Sequence, residues 1–329
     1  MAGRGTRLRP HTLTLPKPLI PIAGKPMVQR IVEDLTAGYQ GTVDEIAFVT
    51  GDFGKEVEKQ LIAIANSFGA EGKIYYQTTP LGVAHAILCA RESLTGNVFI
   101  AFSDTLFKAD FHFNSSEEGI IWVKKVEDPS SFGVVKVNDE QIITDFVEKS
   151  PVFVSDLAIV GLYYIREGEL LRDQIQYILD HNIKDKGEFQ ITTVLENMKQ
   201  IGYRFRAANI EEWLDCGNKE NIIGTNKRML EIKKTTEELT SETAIIENSV
   251  IVPPCFIGNG TKIINSVVGP YVSVGHKSVI KNSIVKNSVI QGDTNVVNAM
   301  FADSMIGNHV NFTGRMSGVS IGDYTNFNE

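Results

Sequence analysis

Apolar positions in the first two thirds of the chain follow two periods. Met27, Ile31 and Leu35 recur at helical spacing up to Gly38, and Val57, Leu61 and Ala65 repeat the pattern up to Gly69. Short apolar runs at 46–50, 74–77 and 98–102 stand between these segments, as strands buried on both faces do. Further helical patterns cover 82–92, 167–179, 189–198 and 219–233, with a strand at 203–208. Such alternation predicts an α/β domain with a mostly parallel, Rossmann-like sheet whose ligands sit at the carboxyl ends of the strands. From Gly119 to Ile165 the helical period disappears. Four short strands at 120–126, 133–137, 142–148 and 157–165 are expected there, extending the sheet into a mixed one along one side of a cleft.

A third pattern begins at Ile245. Aliphatic or aromatic residues then return every five or six positions, among them Ile245, Ile251, Ile257, Ile263, Val268, Val274, Ile280, Val285, Ile290, Val296, Phe301, Ile306 and Phe312, with Gly, Asn and Ser between them. Neither a helix nor a simple strand has that period. It fits a left-handed parallel β-helix of hexapeptide repeats, with Gly258, Gly269, Gly275, Gly292, Gly307 and Gly322 near the corners. The expected division is therefore residues 1–233 as one domain and 243–329 as the β-helix.

A net charge of -8 argues against a nucleic-acid partner, because a phosphate backbone calls for a basic face. Cys89, Cys216 and Cys255 are scattered without metal-ligand spacing, which points to a reducing compartment. No apolar run approaches the ~18 residues of a membrane span. A cytoplasmic protein with no membrane partner is the expectation.

Against this acidic background, residues 3–26 are basic. Gly3 and Gly5 permit tight turns and close backbone approach, while Arg7, Arg9 and Lys17 supply charged donors, the chemistry of a phosphate-binding loop. Two familiar glycine loops do not fit. Leu8 stands where a dinucleotide fingerprint needs a third glycine, and no Gly-Lys-Ser/Thr closes the turn. A carboxylate at the end of the strand 98–102, Asp104, suits a cap or a Mg²⁺ site, since Mg²⁺ takes one or two carboxylates together with substrate phosphates. Gln77, followed by Pro80 and Gly82, offers an amide donor and acceptor to a nucleobase, or is a plain turn. Glu148 and Lys149 end another strand as an ion pair or a binding pair, and His85 reads as a helix-packing residue.

The run GRGTRLRP, then PKPLIP and KP, resembles the signature of the sugar-nucleotide pyrophosphorylases, and its closest form is the long type of glucose-1-phosphate thymidylyltransferase. The stretches QTTPLGVAHA, WLDCG and NSVVGPYVSVG carry the same resemblance further along the chain. It implies transfer of a nucleotidyl group from a nucleoside triphosphate, preferably dTTP, to a sugar 1-phosphate, preferably glucose 1-phosphate, with Mg²⁺ as cofactor. UTP or GTP with other hexose phosphates, and a non-catalytic subunit that only binds sugar nucleotides, stay open. The resemblance implies that Arg7 and Lys17 are catalytic and that Gly3, Gly5, Thr6, Gln77, Pro80 and Gly82 bind the nucleotide. Gly133, Glu148, Lys149, Gly161 and Glu188 would bind the sugar phosphate, with Asp104 and Asp215 on the metal. Ser103 replaces a family glycine, Ser150 displaces a proline, and Thr193 stands where the family often has an aspartate. The family also places a hydrophobic strand immediately before the glycine loop, so that strand is expected upstream of Met1. A homo-oligomer built through the β-helix completes the expectation.

Overall fold

The computed structural model describes residues 5–39, 41–108 and 116–314. They form two compact units, residues 1–20 with 25–221, and residues 21–24 with 222–329. Gly3 and Gly322 fall outside the described residues.

In chain order the first unit carries 3-10 turns at Thr6–Leu8 and Lys17–Leu19, then helices α1 (Met27–Gly38), α2 (Lys55–Ser67), α3 (Val83–Cys89), α4 (Gly168–Asp180) and α5 (Ile191–Gln200). Short strands β1 (Pro21–Ile22) and β2 (Lys25–Pro26) precede α1. The remaining strands are β3 (Glu45–Thr50), β4 (Glu71–Tyr76), β5 (Val98–Ala101), β6 (Thr105–Lys108), β7 (Gly119–Lys125), β8 (Gly133–Val137), β9 (Ile143–Glu148), β10 (Leu157–Ile165), β11 (Phe205–Asn209) and β12 (Glu212–Asp215).

The central strand is β10, apolar throughout and buried over nearly its whole length. It pairs antiparallel with β5, β7 and β8, and only β11 joins this sheet in parallel, through β7. The sheet is mixed, as expected, with more antiparallel pairs than the alternation of helices and strands alone suggests. Apolar runs report burial and not direction, so the mixed sheet follows from the long-range pairings of β10. Strands β3 and β4 form a separate parallel pair, and β6 and β12 an antiparallel one. Helices α3, α4 and α5 press Ile87, Leu171, Ile175, Val194, Leu195 and Met198 against the sheet residues Ile121, Val123 and Ile165.

The second unit is a parallel β-helix. Ile246 pairs with Ile263, Ile263 with Ile280, Ile280 with Val296 and Val296 with Phe312, giving coils of 17, 17, 16 and 16 residues. Ile263, Val268, Val274, Ile280, Val285 and Val296 are fully buried inside it. The inward residue of the first coil is Ile246, in register with Ile263. Ile245 pairs with Lys262 on the outward row, one position from the expectation. The described glycines among those expected stand at a corner or within two residues of one. Left-handed corners are made by Asn248, Asn265, Asn282 and Asn298, by Lys277, Asp293 and His309, and by Gly269 among the glycines named above. Gly258 and Gly275 instead let successive coils approach. A Cβ on Gly258 would lie 2.7 Å from the His276 amide nitrogen, and one on Gly275 2.5 Å from that of Gly292. Asparagine tolerates the left-handed turn and stacks as a ladder, Asn265 donating to Asn282 and Asn282 to Asn298 at 3.2 and 3.0 Å.

Candidate active site

The glycine loop is pinned by its own apolar residue. Leu8 is buried, its amide donates to the Gly5 carbonyl at 3.0 Å, and Thr12 Oγ1 donates to the same oxygen at 2.8 Å. Gly5 sits in the left-handed region at φ 55°, where a Cβ would come within 3.2 Å of Lys17 Cβ. Thr6 and Arg7 are exposed on the turn, and Arg7 makes no ion pair with another candidate among the described residues.

Lys17 reaches across the unit. Its Nζ lies 3.0 Å from Asp104 Oδ2, with the lysine side chain largely buried and the carboxylate half exposed. Strand β6 begins immediately after Asp104 and pairs with β12 so that Thr105 faces Asp215. The Cys216 amide donates to the Asp104 carbonyl at 3.3 Å, which makes Asp104 and Asp215 neighbours across one ladder. The Asn221 amide group donates to Asp215. Neither β6 nor β12 was expected from the sequence, although together they bring the backbones of Asp104 and Asp215 to one end of a ladder. Four-residue strands carry too little periodicity to be read, and their pairing links segments about a hundred residues apart. No group of three or more His, Cys, Asp or Glu converges among the described residues. Two carboxylates, with the remaining positions left to phosphate oxygens and water, are nonetheless the donor set that Mg²⁺ uses.

A second cluster surrounds Glu148, whose side chain is 8% exposed. Gly133 lies opposite it in the β8–β9 ladder, and a Cβ there would come 3.1 Å from Glu148 Oε2. Thr192 Oγ1 donates to Glu148 Oε2 at 2.9 Å, and Lys149 Nζ lies 3.4 Å from Glu148 Oε1. Lys149 adopts φ 40°, and its carbonyl accepts from Lys186 Nζ. Burial first, and then the Glu148 charge, pushes the Tyr163 phenol well above its ordinary range. Glu188 is exposed and takes Gln190 Nε2 at 3.3 Å, outside the Glu148 cluster. Gly161 faces the Phe102 ring, 2.6 Å from where its Cβ would stand. Phe102 stacks on Tyr163 at 5.7 Å and Phe132 on Trp213 at 4.9 Å, so rings connect the two carboxylate clusters.

The third group is the loop 77–82, with Pro80 exposed. Gly82 holds φ 122°, and a Cβ there would stand 2.6 Å from the backbone of Phe189, whose amide donates to Leu81 and whose carbonyl accepts from Ala84. Close packing of two chain segments explains this glycine. Gln77 Nε2 donates to the Gly82 carbonyl at 3.1 Å and lies 3.0 Å from His85 Nδ1. His85 is half-buried beside Gln77, whereas Ala84, Ile87 and Leu88 form the packed face of α3. His85 packs on Gln77 through this contact and not within the apolar stripe of α3. Thr192 and His85 are the contacts of candidate residues that sequence reasoning missed. Each acts through a partner distant in sequence or off the helix's apolar stripe.

A mixed sheet that carries Lys17 on Asp104, and a C-terminal parallel β-helix, are the architecture of a nucleotidyl transferase. The chain belongs to the nucleotidyl transferase family, which matches residues 1–232. It is 30% identical to the low-salt glycan biosynthesis nucleotidyltransferase Agl11 of Haloferax volcanii, over 94% of this chain and 91% of that protein. It is also 30% identical to a glucose-1-phosphate thymidylyltransferase of Streptomyces antibioticus, over 83% of this chain and 80% of the relative. A solved Bacillus anthracis structure, assigned as a glucose-1-phosphate thymidylyltransferase, shares the fold with a TM-score of 0.57 at 22% identity, covering 68% of this chain and 91% of that one. Among the described residues no helix is long and apolar enough to cross a membrane.

Proposed function

We propose that the protein joins dTTP to glucose 1-phosphate, releasing pyrophosphate, and that its domains are a catalytic one over residues 1–233 and a β-helix over 243–329. The observation that carries this reading is the Lys17–Asp104 pair beside Asp215, in the same unit as the Glu148–Lys149 pair. The reaction is in-line attack of a sugar-phosphate oxygen on the α-phosphorus. A phosphate monoester is already anionic near neutral pH, so no general base is needed, and positioning and charge neutralisation do the work.

In this reading Gly3, Gly5 and Thr6 wrap the triphosphate. Arg7 and Lys17 offset the charge that builds on the leaving pyrophosphate, with Lys17 exchanging its carboxylate partner for phosphate oxygens. Asp104 and Asp215 would hold Mg²⁺, which when bound neutralises phosphate charge. Gln77, Pro80 and Gly82 face the base. Glu148, steadied by Thr192, takes sugar hydroxyls beside Gly133; Gly161 and Glu188 contribute further to binding the sugar phosphate, and Lys149 holds the incoming phosphate.

Pyrophosphate release tests this across dTTP, UTP, GTP, ATP and CTP against glucose, mannose, galactose and N-acetylglucosamine 1-phosphates. The expected result is the highest kcat/KM for dTTP with glucose 1-phosphate. A different best pair moves the substrate and keeps the reaction class. Silence in every combination with sugar-nucleotide binding retained replaces the enzyme by a binding subunit.

A further inference from the structure

The orientation of the Gln77 carboxamide is set by chemistry alone. Its nitrogen must be the atom facing the Gly82 carbonyl at 3.1 Å, because two oxygens would repel there. That same nitrogen stands 3.0 Å from His85 Nδ1, so Nδ1 is an acceptor and the imidazole is neutral with its proton on Nε2. Both amide hydrogens are thereby consumed, and Oε1 has no hydrogen-bond partner among the described residues. It is also absent from the buried polar atoms that lack one. What the side chain offers a ligand is therefore an acceptor.

We infer that His85 is a positioning residue for base selection. By accepting from Gln77 Nε2 it locks Oε1 outward, and the site then favours a base with a ring N–H on its pairing edge, as in thymine, uracil or guanine. Cytosine and adenine present a ring nitrogen acceptor at that place, and two acceptors would face each other. This rests on the reading of the loop 77–82 as the base subsite. Burial alone moves His85, and it moves the imidazole below its ordinary range, with no charged side chain contributing. The neutral acceptor form thus persists through neutral pH. The Gly82 carbonyl cannot act in place of His85. It engages one amide hydrogen only and leaves the carboxamide free to swing about that bond.

Uridine and cytidine triphosphates differ only on the pairing edge, so they isolate the effect. Their binding is measured by calorimetry with Mg²⁺ and without sugar phosphate, and their turnover separately with it. Wild type should bind UTP at least about tenfold more tightly than CTP, the scale of a buried polar group left unpaired. His85→Leu should bring the two within about twofold, while His85→Asn, whose Oδ1 stands in for Nδ1, should restore the preference. As the pH falls through the lowered range of His85, the wild-type preference should shrink because Nδ1 gains a proton. In His85→Asn it should stay level, which also controls for protonation of cytosine. Equal binding of UTP and CTP by wild type, or full selectivity in a folded His85→Leu, overturns the inference. If His85→Leu does not fold, full selectivity in a folded His85→Ala overturns it instead. Selective binding without turnover upholds this inference and removes the enzyme reading, whereas turnover with equal use of both nucleotides does the reverse.

Discussion

Asp104 stands immediately before β6 and Asp215 ends β12, its ladder partner, and Lys17 pairs with Asp104. Removing one carboxylate charge keeps size and hydrogen bonding but weakens cation binding. Asp104→Asn and Asp215→Asn should therefore each lower kcat by about 100-fold or more with circular dichroism unchanged, the scale of losing one preorganised charge. Thr192 acts through Glu148. Thr192→Val should raise the KM for the sugar phosphate several-fold and leave that for the triphosphate near wild type, as separate titrations of the two substrates would show. His11 gives a pH dependence. Burial first, and then the Lys219 charge, hold it below its ordinary 6.5, so the unfolded chain binds that proton more readily. Stability from the neutral ring is complete above 6.5 and declines as the pH falls below it. The urea midpoint should drop between pH 7 and pH 5, and drop less in His11→Gln.

Elements place these residues with little tolerance. A one-residue slip in the β6–β12 ladder would turn Asp215 to the opposite face and dismantle the aspartate pair. The packing of Gly82 on Phe189 fixes the loop 77–82 in the same strict way. Gly82→Ala, which meets both the backbone at 2.6 Å and a φ of 122°, should raise the triphosphate KM more than it lowers the melting temperature. In the second unit, helix α6 (Lys219–Lys233) supplies Asn226, which is fully buried. Its Oδ1 accepts from the Ala23 amide at 2.9 Å and from Ser273 Oγ at 2.7 Å, which is why residues 21–24 belong with the β-helix. Asn226→Ala removes the acceptor that both donors share and should cost about 3 kcal/mol, read as a lower denaturation midpoint of the whole chain.

At the scale of the molecule, the β-helix presents an outward row of apolar residues. Val250, Val267, Ile284 and Met300 stand in register on four successive coils, and Met300 is 79% exposed. Scattered exposed apolar residues are ordinary, but an aligned row on a flat sheet marks a contact surface. The row grades from valine to methionine. A two-fold axis at its middle would set each large side chain against a small one, which suits a second copy of this chain. We propose that this row joins two copies of the chain. Ile284→Asp should then sediment as a smaller species than wild type while the coils stay folded, because position 284 faces outward and Val285 faces the core, and equal sedimentation of the two proteins overturns the contact.

The sequence by itself determined the sequence of helices and strands, the β-helix with its near-sixfold period, and the residue types at the site. Each is carried by a local pattern: helical spacing, repeat length, or a contiguous run such as GRGTRLRP. Tertiary structure alone decided the sheet's direction, the β6–β12 ladder that joins Asp104 to Asp215, the bond from Thr192 to Glu148, and the set of the Gln77 amide against His85. Those features depend on which segments distant in sequence lie side by side, and short strands and single polar contacts leave no periodic trace from which to read it. The inward choice of Ile246 over Ile245 has the same cause. Adjacent isoleucines are equivalent to a pattern and become different only when a coil above fixes the register.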